Sequence, residues 1–375
     1  MLKLAIVVNE PPPYRIPVFN LIARNPEISL CVIFCCRREP NRLWDLPPVA
    51  FDHVFLRERI RTVQGRYIHN NPDVFLALSR FKPDVVLGNG FNPTHLYAFA
   101  WTRLMRRAYI AMTDGTLQSE RSLSTLHVRL RRYVYQRAGA FIAASQGGLA
   151  LYRSYKVPAA RCFRSCLAVD NARFYPGDVS VEKKWDFVFS GRLEAGKQPE
   201  FTMDVASQCA QRLGRQLSLL FVGSGSEEAA LRARAATLAH QLTVHFHGFA
   251  SQAELPQLYR SAKIFLFPTR ADVWGVVANE ACAAGLPVIV SPYAGVAGEL
   301  VVDEHNGYVR PLEIQAWTDC ALDLLENSDR LRAMGERAVL LVKPYCFESA
   351  AKGIIDAAKA AHELSADYAS VSRPV

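Results

Sequence analysis

The chain is 375 residues long, half hydrophobic and 21% charged, too long for one ordinary core and too apolar for a disordered segment. No uncharged apolar run of about eighteen residues occurs, which excludes a spanning helix, and the nine cysteines lack metal-ligand spacing and fit buried thiols in a reducing cytoplasm. The net charge of +9 is uneven: residues 1–173 hold 25 Lys plus Arg against 11 Asp plus Glu, the remainder 19 against 24, so two domains with different partners are expected, the basic one drawn to something anionic.

In chain order, the opening run ends in Asn9-Glu10-Pro11-Pro12-Pro13 without a small-residue cleavage site, so it reads as a buried strand and not as a leader. Apolar, β-branched runs follow at 4–8, 29–34, 84–87, 109–112 and 140–144, with helical stretches between them. Such runs suit strands buried on both faces of a parallel sheet. Two basic, apolar segments lie in this half, 101–107 and 127–137, the second interleaving Val128, Leu130, Tyr133 and Val134 with four arginines. They read either as helices with solvated arginine faces or as a peripheral dock on the anionic inner face of a membrane. Nucleic acid is not expected, because aromatic stacking motifs are absent. The polar, turn-rich stretch at 170–178 marks the domain boundary, giving domains 1–173 and 174–345. A last segment, 346–375, carries a helix returning to the first domain and a frayed tail.

The second half repeats the alternation, with runs at 186–190, 218–222, 243–247, 264–267 and 287–290. After the first of these a loop opens at Gly191 and presents Arg192 and Lys197, two cations suited to a diphosphate. Gly223-Ser224-Gly225 imitates a dinucleotide fingerprint, but it lacks the third glycine and the acid expected about twenty residues on. A tight turn lining a nucleotide cleft is the reading. The segment from Phe267 to Pro287 is the most informative. Asp272 stands where a helix N-cap belongs, and Glu280 would lie two turns in, about 12 Å along the axis. Amides at Val273, Trp274 and Gly275 would open that helix toward a phosphate. An ordinary N-cap Asp and an exposed helical Glu fit the same pattern.

Order and spacing of these pieces resemble the retaining glycosyltransferases of family 4, from Gly191-Arg192-Leu193 with Lys197, through the Asp272 and Glu280 pair, to His305-Asn306-Gly307-Tyr308-Val309. The likeness is dense over 185–311 and looser over 13–20 and 168–174. It implies a GT-B fold: α/β, two doubly wound Rossmann-like parallel-sheet domains facing across a cleft. It further implies that Arg192 and Lys197 hold the diphosphate, Glu280 the ribose and Asp272 the donor sugar, with Tyr14 and Arg15 on the acceptor side. The family usually has Glu at 272, so the carboxylate here is one methylene shorter. Many members place His where this chain has Asp114, which then positions a sugar hydroxyl or serves only as a turn residue.

The implied reaction is transfer with retention from a nucleotide-diphosphate sugar to a glycan or lipid-linked acceptor, in cell-surface polysaccharide or glycolipid synthesis. No second carboxylate stands out as a nucleophile, so a double displacement is not expected. No Asp-x-Asp motif occurs, so metal independence is expected, and no cofactor beyond the donor itself. A non-catalytic GT-B subunit that binds a nucleotide sugar remains the alternative, kept open by Asp272. A nicotinamide oxidoreductase ranks third.

Overall fold

The structure is a computed structural model that describes residues 1–40, 46–63, 66–121, 123–175 and 182–371. The chain divides into two compact units, Met1–Ala168 with Phe347–Val375, and Val169–Cys346. Part of the expected boundary, 176–178, lies outside the described residues, as do 372–375 of the tail. The crossing into the second unit comes before 173 because Asn171–Phe174 is tied to that unit. Asn171 Nδ2 donates to the carbonyls of Val342 and Tyr345 at 3.1 and 3.3 Å, and Phe174 packs edge-on against Tyr259.

Unit 1 holds a seven-stranded sheet built from β1 (Leu2–Val8), β2 (Ile28–Phe34), β3 (Asp52–Phe55), β6 (Val85–Asn89), β7 (Ala108–Thr113), β8 (Ala140–Ala143) and β9 (Cys162–Arg164). A separate antiparallel hairpin pairs β4 (Ile60–Val63) with β5 (Arg66–His69). The sheet order is β3-β2-β1-β6-β7-β8-β9, all pairs parallel. Leu4, Ala5 and Val7 of the central strand are fully buried, as a parallel strand covered by crossover helices on both faces requires. Helix Phe347–Val371 packs on helix Ile16–Ala23 and on β7, β8 and β9. Small residues permit its close approach: Ala350, Ala357, Ala358 and Ala361 are buried.

Unit 2 repeats the plan with β10 (Trp185–Ser190), β11 (Leu217–Val222), β12 (Leu242–Gly248), β13 (Ala262–Phe267), β14 (Val288–Val290) and β15 (Gly307–Val309). Their order is β12-β11-β10-β13-β14-β15, again wholly parallel. Phe187 and Phe189 point into a core closed by Met203, Val205, Trp317 and Leu324.

All ten runs expected as strands are strands. The short elements are additional: β3 and β9 are edge strands with partly or fully exposed side chains, and β15 has only three residues, too little pattern to read. In each sheet the order reverses beside the first strand, between β1 and β6 and between β10 and β13. That is where open α/β sheets take ligands, beyond the carboxyl ends of the strands.

Candidate functional site

In unit 2 the loops after β10 and β13 meet over the reversal point. Arg270 N donates to Gly196 O at 2.9 Å, stitching one loop to the other. Across that seam the Lys197 ammonium lies 2.6 Å from Asp272 Oδ2, both side chains about one-fifth exposed. Lys197 also stands 5.8 Å from the Phe267 ring. Arg192 does not join them. It is half exposed and pairs with Glu194, two residues on, at 2.7 Å.

The glycine turn after β11 has a packing role. Gly223 has φ +125, and a Cβ there would fall 2.0 Å from the Gly191 carbonyl oxygen. Leu193 N donates to Ser224 O at 3.0 Å, so the two loops abut by backbone. Any side chain at 223 would push the Arg192 loop away from its place.

The loop to the helix corrects the sequence reading. Asp272 is not the helix N-cap. Helix Val276–Ala283 begins four residues later, with Gly275 at its cap in a left-handed conformation, φ 104. A Cβ on Gly275 would strike the Phe267 ring at 2.3 Å, so the chain turns there only because no side chain is present. Asp272 is held instead as a bridge residue: its N donates to Tyr293 O and its carbonyl accepts from Gly295 N. Its Oδ1 accepts from Trp274 N at 3.1 Å. The Val273 and Trp274 amides therefore precede the helix, and the Trp274 amide is already taken. The first-turn amides belong to Val276 and Val277. The Trp274 side chain is core, donating to Asn279 Oδ1 at 2.8 Å.

Glu280 lies in the second turn of that helix, and it is buried, not exposed. The Tyr259 hydroxyl donates to its Oε2 at 2.8 Å. Burial pushes the Glu280 carboxyl up to about 7, opposed by that hydroxyl. Tyr259 carries no sequence signal, because only folding brings the short helix Leu255–Arg260 beneath Glu280.

In unit 1 the loops after β1 and β7 meet in a similar way. Arg15, read from the sequence as facing an acceptor, is 2% exposed and contacts Asp114 Oδ1 at 3.2 Å. Its other terminal nitrogen donates to Ser165 Oγ at 2.9 Å and to the Ser165 and Cys166 carbonyls at 3.3 Å. Arg15 thus locks Asp114, which stays about one-quarter exposed. Neighbouring Tyr14 is partly exposed. Ser165 and Cys166 are partners that no local pattern announces, 150 residues away in the chain. Among the described residues no group of three or more His, Cys, Asp or Glu is arranged to hold a metal ion.

Comparison with known proteins fits this geometry. The chain is similar in structure to Anabaena HepE solved with UDP and glucose, at TM-score 0.73 and 16% identity, over 95% of this chain and 99% of that one. The fold is GT-B. Residues 175–340 match the family described as Glycosyl transferases group 1, a span that covers both the Lys197 and the Asp272 loops of unit 2. The D-inositol 3-phosphate glycosyltransferase of Nocardia farcinica is 30% identical over 206 residues, 51% of this chain and 46% of that protein. The mannosylfructose-phosphate synthase of Agrobacterium fabrum is 28% identical over 160 residues, 38% and 35% of the two chains. The chain thus spans about half, or less, of the curated relatives it matches.

Proposed function

We propose that this chain is a retaining glycosyltransferase, moving a sugar from a nucleoside-diphosphate donor to a glycan or lipid-linked acceptor of cell-surface polysaccharide or glycolipid synthesis, without a metal ion. The observation that carries the reading is the Lys197–Asp272 pair at 2.6 Å over the reversal point of unit 2. A partly exposed ion pair of this kind is weak and exchangeable. A diphosphate would take Lys197 as its counter-ion and release Asp272 to accept hydrogen bonds from the sugar. Arg192, held only by an exposed neighbour, would swing to the same phosphates, joined by the first-turn amides of helix Val276–Ala283.

In this scheme acceptor attack and phosphate departure occur on one face, and the departing phosphate takes the acceptor proton. The chain contributes position and charge. Glu280 would accept from the ribose hydroxyls, and Asp114, fixed by Arg15, would orient a sugar hydroxyl. A fold neighbour solved with UDP and glucose supports a uridine diphosphate sugar as the first donor to try. The test is turnover of a nucleotide-sugar panel with and without EDTA, with the anomeric configuration of the product read by NMR. Inversion at the anomeric carbon would refute the mechanism. Tight nucleotide-sugar binding without release of nucleoside diphosphate would favour the non-catalytic alternative, in which Lys197 never leaves Asp272.

The membrane dock belongs to the same proposal. Helix Thr125–Tyr135 buries Val134 and Tyr135 but leaves Leu126 72% and Tyr133 49% exposed, and Leu104 and Met105 stand out from the other basic segment at 69% and 51%. Apolar tips among arginines suit anionic headgroups, each basic residue adding on the order of 1 kcal/mol. Cosedimentation with phosphatidylglycerol vesicles should weaken with salt; equal binding to neutral vesicles would dismiss it.

A further inference from the structure

A cavity lies at the amino ends of the strands of unit 2's sheet, where β10, β13 and β14 begin. Its volume is about 1060 Å³, the upper end of what small-molecule sites enclose. The Lys197–Asp272 pair is at the carboxyl ends of the same strands, roughly 20 Å away at 3.3 Å per residue. The cavity's apolar lining comes from Ala283, Ala284, Pro287, Leu331, Val339 and Leu340, and Leu340 is 59% exposed at the rim. One wall, helix Ser328–Val342, is fixed close: a Cβ on Gly335 would come within 2.3 Å of the Gly285 carbonyl oxygen. The amino end of that helix, Ser328, also lines the space, adding the positive end of a helix dipole.

The polar lining is strongly one-sided. Lys183, Arg260, Lys263, Arg332 and Lys343 face a single acid, Glu336. Lys263 is neutralised by Asp186 at 2.8 Å and Arg332 by Asp329 at 2.9 Å. Among the described residues the other three have no carboxylate partner. Lys183 donates to the Arg260 carbonyl and Arg260 Nε to the Pro256 carbonyl, and no ion pair is formed by Lys183, Arg260 or Lys343 among the described residues. Unpaired cations around an apolar floor call for a ligand with both characters. We propose that this cavity binds a small amphiphilic anion, a hydrocarbon chain bearing a phosphate or carboxylate head, at a site separate from the Lys197–Asp272 site.

The test uses the full chain and decyl phosphate below its micelle concentration, titrated by calorimetry. Inorganic phosphate and decyl maltoside serve as head-only and tail-only arms. Saturable one-to-one binding is expected, about tenfold or more tighter than either arm, and undiminished by saturating uridine diphosphate. Lys343→Glu and Leu340→Asp, both at exposed rim positions, should each weaken it by about tenfold while melting shows the fold intact. Equal binding of decyl maltoside, full competition by the nucleotide, or unchanged affinity in both variants would overturn the assignment.

Discussion

Both units pair a cation from the loop after their first strand with an aspartate from beyond the reversal of strand order, yet the two pairs differ in kind. Arg15 is almost wholly buried, and its two terminal nitrogens reach Asp114, a hydroxyl and two carbonyls, which holds a desolvated guanidinium in place. Lys197 has one short contact, a nearby ring and access to water. The same juxtaposition is therefore a clamp in unit 1 and a contact open to exchange in unit 2. Burial of the cation decides which.

The sharpest way to break that contrast is to remove each cation. Arg15→Met leaves Asp114 and two carbonyls without their donor, and should cost about 3–5 kcal/mol of stability. Lys197→Met should cost under about 1 kcal/mol of stability but about 2–4 kcal/mol in kcat/KM if the proposed reaction holds. Denaturant unfolding and steady-state kinetics on both variants decide the matter. Equal stability losses would erase the distinction.

Acidification should separate the units by sign. Burial lowers His95 of unit 1 from 6.5 to about 4, so the folded state refuses a proton that the unfolded chain accepts. Unit 1 should lose about 3 kcal/mol as pH falls from 6.5 to 4. Glu280 of unit 2 is raised from 4.5 to about 7, so its neutral form is the one the fold favours. Unit 2 should gain about 3 kcal/mol as pH falls from 7 to 4.5. Hydrogen exchange in β1 and β10 as a function of pH reads both, and His95→Gln or Glu280→Gln should flatten its own unit's profile alone.

A smaller effect sharpens the view of Glu280. Tyr259→Phe removes the hydroxyl that donates to its carboxylate and should raise the Glu280 pKa further, by the worth of one hydrogen bond to a charged group, about 1.5–3 kcal/mol at most. If Glu280 accepts from ribose as a carboxylate, uridine diphosphate affinity should rise from pH 6 to pH 8, and the midpoint should move upward in Tyr259→Phe. A pH-independent affinity would remove Glu280 from the donor site.

Much of this was legible in one dimension. The ten runs read as strands all formed strands, and those at the centres of the sheets are buried, because a parallel strand covered on both faces needs no alternation to declare itself; the edge strand Leu242–Gly248 stays mostly half-exposed. Lys197, Asp272 and Glu280 were visible by spacing, as were the glycines at 191 and 223. Their neighbours were not. That Asp272 precedes the helix instead of capping it follows from Gly275 turning against Phe267 and from backbone bonds to 293 and 295. That Glu280 is buried follows from Tyr259, twenty-one residues earlier. That Arg15 is a clamp follows from Ser165 and Cys166, far along the chain.

The sequence by itself determined the order of strands and helices, the turns at Gly191 and Gly223 and the types of charge carried by each half, since these rest on local sterics and hydrophobic period. Tertiary structure alone decided which cation is sealed and which is open to exchange, and which carboxyl is raised toward neutral pH. Those properties depend on desolvation and on partners brought together by folding, and neither has a local signature.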